Sequence, residues 1–336
     1  MQSDELSLAT RAAWLSYVGK HTQEEIAGRL GVSRIKVNRL IGQAVRAGFV
    51  HVFVEGAAAE CIALEEAIAA HWGLDFCTVA PGVEDSPLPL ATLAAVGGHW
   101  LHRVLDAGLV SLIGVGHGRT LAAVVSNLPR IPRPNVRFVS LLGSLTRHAA
   151  ANPFDVIHRL AEITTAESYF MPAPFFADSM EDKRVLLGQR SLESVFALAG
   201  RAELVVLGIG EVGPHSHLYT TGMITAAEFA EVEQAGAVGE VLGRFVGADG
   251  RPVAAGINER ALAVRLEELV GRQVVAVAGG RDKPRAIAAV LQSGLITGLI
   301  TDEATAREVV AFGPAAAVRP GMHDQSKAAT GSAGHA

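Results

Sequence analysis

The chain has 336 residues, of which 49% are hydrophobic, and its formal net charge at pH 7 is −5. This length is enough for a small domain and a larger one, each with its own core. No apolar run reaches the length of a membrane span, which excludes a helical membrane protein, and no secretory signal is visible at the N-terminus. We therefore expect a cytoplasmic protein in which Cys61 and Cys77, outside any CxxC motif, are buried and reduced.

Positive charge is concentrated at the front of the chain. Residues 1–56 contain seven Lys or Arg and five Asp or Glu, whereas residues 57–336 contain 22 and 29, so the two parts carry +2 and −7. Because a negatively charged surface repels phosphate, contact with nucleic acid is expected from the front segment only.

The first predicted helix is Arg11–Val18, in which apolar spacing places Trp14 in the core. The stretch Thr22–Arg46 then predicts two short helices joined by a tight turn. Glu25 stands three residues after Thr22, which is the spacing of a capping box. Gly31 ends the first of these helices, because glycine adopts the left-handed conformation at little cost.

The second helix of the pair, Ser33–Arg46, has an apolar face and a polar face. Residues 26–54 contain five basic residues and no acidic one, which is the charge pattern that phosphate binding requires. The pair is therefore predicted to be a helix-turn-helix motif with Ser33–Arg46 as its recognition helix. A basic helix face that is merely solvated, or that binds another protein, is the alternative. The candidate DNA-binding residues are Thr22, Ser33, Arg34, Lys36, Asn38 and Arg39.

A short β-strand or wing, Phe49–Val54, is predicted to close this small domain. We expect a helix-turn-helix domain over residues 1–56 and a larger domain over residues 57–316. Residues 317–336 are rich in small and polar residues and are expected to form a disordered tail.

The larger domain alternates apolar strands with helices, which predicts a parallel sheet covered on both faces. Ligands of such sheets bind in the loops beyond the carboxyl ends of the strands. Helices are predicted at Cys61–Trp72, Leu88–Leu105, from Thr120 to Ser126 and at 284–291, and strands at Phe76–Val79, Leu109–Val115, Val136–Leu142, Ser168–Met171, Leu204–Ile209, Val274–Ala278 and Gly298–Thr301.

The loop after the strand Leu109–Val115 is a candidate anion site. Its residues, 114–120, read GVGHGRT, and a glycine-rich turn into a helix exposes backbone N–H groups at the positive end of the helix dipole. A dinucleotide fingerprint is excluded because position 119 is arginine, and a Walker motif is excluded because GK[ST] is missing. A phosphate or a polyol hydroxyl cluster fits better, and a tight turn without a ligand is the alternative.

Two further residues are candidates for ligand contact. Lys283 follows Gly279-Gly280 after a strand, and it is one of only three lysines after residue 56. Glu240 could accept hydroxyl hydrogen bonds, although a solvated acid is an equal alternative. The loop 210–213 is a weaker candidate.

The pairs His99/His102 and His215/His217 lack the further ligands of a metal site. No nucleophile set or acid–base pair is apparent either, so neither metal nor cofactor is expected.

These motifs resemble those of SorC-type bacterial transcriptional regulators. The helix-turn-helix segment resembles their DNA-binding domain, and the similarity extends nearly from Arg11 to Val310 with its motifs in the expected order. The segments that resemble the sugar-binding domain are GVGHGRTL at 114–121, LLGSL at 141–145, GAVGEVLGRFVGADGRPV at 236–253 and VAGGRDKPRAIAAVLQSGLITGLITDEATA at 277–306.

The resemblance implies an α/β protein with a winged helix-turn-helix domain and a three-layer parallel-sheet domain of the glucosamine-6-phosphate deaminase and ribose-5-phosphate isomerase fold. It implies a sugar, polyol or sugar phosphate as a signal, and dimers or tetramers on pseudo-palindromic operator DNA. His117 and Arg119 make the glycine loop bulkier and more charged than in the family pattern, which leaves phosphorylation of the effector open. The implied effector-binding residues are Gly116, His117, Gly118, Arg119, Thr120, Gly143, Glu240 and Lys283.

We therefore predict a transcriptional regulator of a carbohydrate or polyol catabolic operon. Two alternatives are a sugar-phosphate isomerase or deaminase with an appended DNA-binding-like module, and an interaction protein whose helix pair binds another protein. Whether the effector releases or strengthens DNA binding stays open at this point.

Overall fold

The structure, a computed structural model, describes residues 2–50, 59–82, 86–144 and 155–313. Residues 51–54 of the predicted wing and the predicted tail, 317–336, lie outside these ranges, and the described residues 49 and 50 belong to no strand. Within the described ranges, no helix combines the length and apolarity that are needed to span a lipid bilayer.

The first three helices are α1 (Gln2–Tyr17), α2 (Gln23–Leu30) and α3 (Arg34–Arg46). The predicted capping box at the start of α2 is confirmed, because the Thr22 side chain and the Glu25 side chain each accept from the other's backbone N–H. Gly31 ends α2 with a φ of 65°, as only glycine does cheaply. The core of this unit consists of Ala9, Ala12, Ala13, Ile26, Ala27, Val37, Leu40 and Ala44.

The prediction of a buried Trp14 is wrong, since 60% of this residue is exposed. The side of α1 that packs on the helix pair contains the buried Ala9, Ala12 and Ala13, with Leu8 and Leu15 partly buried beside them. Trp14 lies about 100° further round the helix than Ala13, which turns its side chain away from α3. Alanines at this contact let the helix backbones approach closely, and an indole would hold them apart.

The remaining described chain contains eleven α-helices, one 3₁₀-helix and ten strands. Their bounds are α4 (Ala59–Trp72), β1 (Phe76–Ala80), α5 (Leu90–Ala107), β2 (Leu112–Val115), α6 (Arg119–Ser126), β3 (Arg137–Ser140), α7 (Val156–Thr164), β4 (Glu167–Tyr169), α8 (Met180–Leu187), α9 (Arg190–Ala199), β5 (Leu204–Leu207), β6 (Gly210–Glu211), α10 (His217–Thr220), α11 (Ala226–Gln234), β7 (Gly239–Val241), β8 (Arg244–Val246), α12 (Gly256–Arg260), the 3₁₀-helix Leu266–Leu269, β9 (Gln273–Val277), α13 (Pro284–Gln292), β10 (Gly298–Asp302) and α14 (Glu303–Ala311).

The predicted parallel sheet with helices on both faces is confirmed. Seven strands pair in the order β1-β10-β9-β5-β2-β3-β4, and every pairing is parallel. Side chains alternate between the faces, so that Leu204 and Val206 pack in a core with α5, α6 and α7, whereas Val205 and Leu207 pack in a core with α4, α9, α13 and α14. Both cysteines are free and buried, as expected.

The strand predicted from Leu109 begins three residues later, at Leu112. Leu109 is 85% exposed, and it follows Gly108, the residue that ends α5 in the left-handed conformation. An apolar run therefore extends into a loop here, because composition alone does not show where hydrogen bonding to the neighbouring strand starts.

A small antiparallel sheet, β6-β7-β8, is absent from the sequence prediction. Its strands have two or three residues, which is too short for an alternating pattern to be recognised. Its register pairs Gly210 with Glu240 and Glu211 with Gly239, so it brings two acidic residues to one place beside the large sheet.

Candidate functional site

The helix pair presents its polar residues as predicted, but two of the candidates also have structural roles. The Thr22 hydroxyl accepts from the Glu25 N–H at 3.4 Å, and the Ser33 hydroxyl accepts from the Lys36 N–H at 3.3 Å, so both residues cap helices. Arg34 and Asn38 are exposed on α3. Their DNA contacts stay a prediction.

Arg39 is the one candidate on α3 that forms an ion pair with another described helix. Its Nη2 atom donates to Oε1 of Glu5 in α1 at 3.1 Å, and both side chains are largely exposed. An exposed pair of this kind contributes about 0–1 kcal/mol, so a phosphate can replace Glu5 at little cost.

In the larger domain, a cavity lies beyond the carboxyl ends of β2 and β5, where the parallel sheet predicts it. It offers about 90 Å³ to water-sized groups. The cavity brings together seven of the eight residues that were predicted to bind an effector: Gly116, His117, Gly118, Arg119, Thr120, Glu240 and Lys283. Its wall also contains residues not among those candidates, including Leu142, Phe175, Glu211, His217, Leu218 and Leu242.

Gly143, the eighth predicted residue, does not line this cavity. Its N–H donates to the carbonyl of Leu262 at 2.9 Å. A Cβ atom at this position would lie 2.1 Å from the carbonyl oxygen of Pro174. Glycine is therefore required here for the close approach of two backbones, which is a structural explanation for the LLGSL segment.

The glycine loop turns directly into α6. Gly118 takes a φ of 125° and precedes the first helical residue, Arg119, without any side-chain cap on the helix. The N–H groups in the first turn of α6 therefore lie at the end of the helix next to the cavity, and no side chain caps them. Thr120 is buried in the same turn. This arrangement can donate hydrogen bonds to an anion or to hydroxyl oxygens.

His117 is held by a hydrogen-bond chain. Its Nε2 atom lies 3.0 Å from the Ser140 hydroxyl, which itself donates to the carbonyl of Leu142 at 2.8 Å. Since the single hydroxyl proton of Ser140 is used for that carbonyl, the His117 Nε2–H must donate to Ser140. These two hydrogen bonds orient the imidazole in the loop between β2 and α6.

Glu211 is the centre of the charged groups in the cavity. Its Oε2 lies 3.5 Å from Nζ of Lys283, and its Oε1 lies 3.9 Å from Nη2 of Arg119. Lys283 also donates to the carbonyl of Ile209 at 2.5 Å. Burial lowers the pKa of Lys283, and the adjacent Glu211 carboxylate opposes that effect. One carboxylate thus faces two cations.

Glu240 is the second carboxyl group. Its Oε1 accepts from the N–H of Gly243 at 2.5 Å. Burial raises the pKa of Glu240 to about 7, and the hydrogen bond from Gly243 and the charge of Lys283 only partly offset that rise. A Cβ atom on Gly210 would lie 2.5 Å from Oε2 of Glu240, so with a larger residue at position 210 the end of the Glu240 side chain would have to shift.

His217 completes the polar part of the wall. Burial lowers the pKa of its imidazole, and the neighbouring Arg119 lowers it further. Both effects favour the neutral ring, which can donate one hydrogen bond and accept another. Across the parts of the chain that the structure describes, no group of three or more His, Cys, Asp or Glu could hold a metal ion.

Comparison with known proteins shows the family to which the chain belongs. Residues 57–311 match Sugar-bind, a family of sugar-binding domains. The chain is 47% identical over 304 residues to the erythritol catabolism regulatory protein EryD of Brucella abortus, which covers 90% of this chain and 96% of that protein. The chain belongs to the SorC family of sugar-binding transcriptional regulators.

Other similarities extend over most of the chain. The transcriptional regulator LsrR of an Enterobacter species is 33% identical over 314 residues, covering 92% of this chain and 94% of that protein. The full-length sorbitol operon regulator SorC of Klebsiella pneumoniae superposes with a TM-score of 0.67 at 22% identity, covering 91% of this chain and 99% of that structure. The latter similarity shows that the fold is shared.

Membership of the SorC family decides between the function classes left open by the sequence. The similar proteins are transcriptional regulators, so this SorC-family chain is a transcriptional regulator with a small-molecule effector and not an enzyme. The predicted fold class, a helix-turn-helix segment followed by a three-layer α/β domain, is confirmed.

Sequence reasoning missed Glu211 and His217 as cavity residues of this SorC-family domain. From the sequence, the loop 210–213 is only a weaker candidate, and His217 attracts notice only as one half of a possible metal pair. A signal for Glu211 was present, because it follows the carboxyl end of the apolar strand β5, where parallel sheets bind ligands.

Proposed function

We propose that α3 binds operator DNA and that the cavity binds a small polyol or sugar whose catabolic operon the protein regulates. The observation that carries the proposal is the convergence of donors and acceptors in one small cavity beyond the carboxyl ends of β2 and β5. The similarity to a regulator of erythritol catabolism supports a polyol as the ligand class.

The size of the cavity favours a short polyol. Its volume of about 90 Å³ for water-sized groups accommodates about six to nine such groups, because a bound water needs about 10–15 Å³ on the same measure. A four-carbon polyol has a comparable number of heavy atoms.

The charges in the cavity favour a neutral ligand. Glu211 already faces both Arg119 and Lys283, so a neutral polyol can bridge the charged groups without changing the charge balance. A phosphate would have to displace Glu211 from its cations and would approach Glu240, a second carboxyl group. A sugar phosphate remains the second candidate, because the uncapped first turn of α6 also fits an anion.

On the DNA side, Ser33, Arg34, Lys36, Asn38 and Arg39 contact the operator, with Thr22 at the start of α2. Two copies of the chain place two recognition helices on a pseudo-palindromic site, and a dimer or tetramer is expected. Effector binding shifts the population between two arrangements of the copies, and this changes the spacing of the recognition helices. These events take place in the cytoplasm, and residues 57–316 form the domain that senses the effector and assembles the oligomer.

Thermal unfolding of the full-length chain tests the ligand class. Erythritol, ribitol, sorbitol, erythritol 4-phosphate and glucosamine 6-phosphate are added singly, each at about 100 times the protein concentration. A true ligand raises the midpoint, since it stabilises by mass action. We expect the largest shift with erythritol. A larger shift with either phosphate would replace the neutral-ligand proposal, and no shift with any compound would overturn the ligand class.

Gel-shift experiments at low salt with the operon's upstream DNA test the other half of the proposal. We expect the protein to retard this DNA. Addition of the stabilising compound should then change the mobility of the complex or the affinity of the protein for the DNA. Failure to retard DNA at any salt concentration would favour an interaction protein, whose helix pair binds another protein.

A further inference from the structure

Ile35 stands out on the recognition helix because it is 84% exposed. It lies in the first turn of α3, between Arg34 and Lys36. With 3.6 residues per turn, it points to the opposite side of the helix from the buried Val37 and Ala44. A large apolar side chain is thus placed at the centre of the polar face.

Nothing in the fold of the helix-turn-helix unit explains isoleucine at this position. The core of the unit is complete without it. A β-branched residue also lowers helix propensity, so neither packing nor propensity favours it.

A second unfavourable residue lies on the same side of the helix. Positions 35, 39 and 42 follow each other at steps of four and three residues, which places Ile35, Arg39 and Gly42 along one line. Glycine inside a helix is destabilising, and a Cβ atom added at Gly42 would meet only the side chain of Arg46. Two choices that weaken the helix, on the line opposite the core, are typical of a face selected for contact with a partner.

Base pairs in the major groove offer a specific apolar partner. Arg34, Lys36 and Arg39 can bind phosphates or base edges, but phosphate contacts carry no sequence information. Only the A·T pair presents a methyl group, at C5 of thymine, and apolar side chains recognise it by contact. The N-terminal residues of a recognition helix are the ones that reach base edges.

We propose that Ile35 contacts the C5-methyl group of a thymine in each half-site and thereby determines part of the operator sequence. The inference rests on the proposed DNA binding by α3 and assigns one base preference to one residue. The absence of a side chain at Gly42 lets the helix approach the groove behind that contact.

The test uses a change that removes only the methyl group. Full-length protein selects duplexes from a random-sequence pool, and each thymine of the selected site is then replaced by deoxyuridine, symmetrically in both half-sites. Affinities are measured for the wild type, for Ile35→Ala and for Val45→Ala, which shortens an exposed apolar residue at the other end of α3. Circular dichroism verifies that the variants fold.

One thymine position should stand out. There, uracil should raise the Kd of the wild type and of Val45→Ala about fourfold for each methyl group removed. Ile35→Ala should bind thymine DNA correspondingly more weakly and show no further loss of affinity with uracil. Two results would overturn this inference but not the proposed operator binding. In one, the protein binds a specific site but loses no affinity when any thymine is replaced by uracil. In the other, Ile35→Ala loses as much affinity with uracil as the wild type does. If the selection at low salt enriches no sequence, both the proposed operator binding and this inference are overturned.

Discussion

The ammonium group of Lys283 lies 3.5 Å from a carboxylate oxygen of Glu211, and both side chains are nearly buried in the wall of the cavity beyond β2 and β5. The two residues are far apart in the chain, and they meet because the loops after β5 and β9 lie at the same edge of the sheet. Within this pair one positive and one negative charge offset each other, whereas Arg119, 3.9 Å from Glu211, adds a second positive charge. The ligand predictions below depend on this arrangement of charges.

Lys283→Ala should abolish the response to effector while DNA affinity stays at the wild-type level. The substitution removes a buried donor from the cavity and leaves the recognition helix unchanged. The measurement is the fraction of operator DNA that is bound, as a function of effector concentration. Lys183→Ala is the matched control, since Lys183 binds the carbonyl of Glu259 away from the cavity. A wild-type response in Lys283→Ala would remove Lys283 from the effector site.

Glu211→Gln should change ligand preference towards anions. Without the carboxylate, no negative charge lies 3.9 Å from Arg119 and 3.5 Å from Lys283 to offset part of their positive charge. We expect affinity for erythritol 4-phosphate to rise by about tenfold, or ~1.4 kcal/mol, as measured by calorimetry. The exposed Glu233→Gln serves as the control. Equal affinities in Glu211→Gln and wild type would show that Glu211 does not exclude anions.

Glu240 should make stability depend on pH. Its pKa rises from 4.5 to about 7 on folding, so the folded state binds the proton more tightly than the unfolded state. The stabilisation is therefore complete below about pH 4.5 and is lost as the pH rises through about 7, by roughly 3 kcal/mol in total. Denaturant unfolding at pH 5.5 and pH 8 should differ less in Glu240→Gln than in the wild type. An identical pH profile for both proteins would contradict the assignment.

Gly210→Ala should weaken effector binding by displacing Glu240. The added Cβ atom would lie 2.5 Å from Oε2 of Glu240, so the carboxyl group must shift. We expect about a tenfold rise in the Kd of the effector. Gly213→Ala is the control in the same loop, because no atom lies within 4 Å of its added Cβ. Effector affinity that is the same in both variants would show that the position of Glu240 does not matter for binding.

Arg34→Ala should weaken DNA binding and reduce its dependence on salt. Each phosphate contact that is lost lowers the slope of log K against log salt concentration by about 0.9, so two copies of the variant on one operator should lower it by about 1.8. The same reduction is expected for Arg39→Ala, in which Glu5 is also left without its ion-pair partner. Arg103→Ala, an exposed substitution on α5, should leave the slope unchanged. Unchanged slopes in the α3 variants would exclude phosphate contacts by these arginines.

Local features of the fold were predictable because they depend on neighbouring residues. The capping box of Thr22 and Glu25 is formed within one helical turn, and the left-handed Gly31 follows from glycine's freedom at that position. The parallel strands were predictable from buried apolar runs, although their ends were not, as Leu109 shows. The strands β6, β7 and β8 are too short to carry a pattern, so the pairing of Gly210 with Glu240 was out of reach.

The sequence by itself determined the class of the protein: a basic helix pair with no acidic residue from 26 to 54, a glycine loop after a buried strand, and motifs in a family order. These properties depend on residues that lie close together in the sequence, and their spacing follows the period of a helix or a strand. Only the tertiary structure decided which charges share the cavity. It placed Glu211 between Arg119 and Lys283, placed Gly143 outside the wall of the cavity and turned Trp14 outwards. Such contacts join distant segments, and they arise from how the sheet and its helices pack.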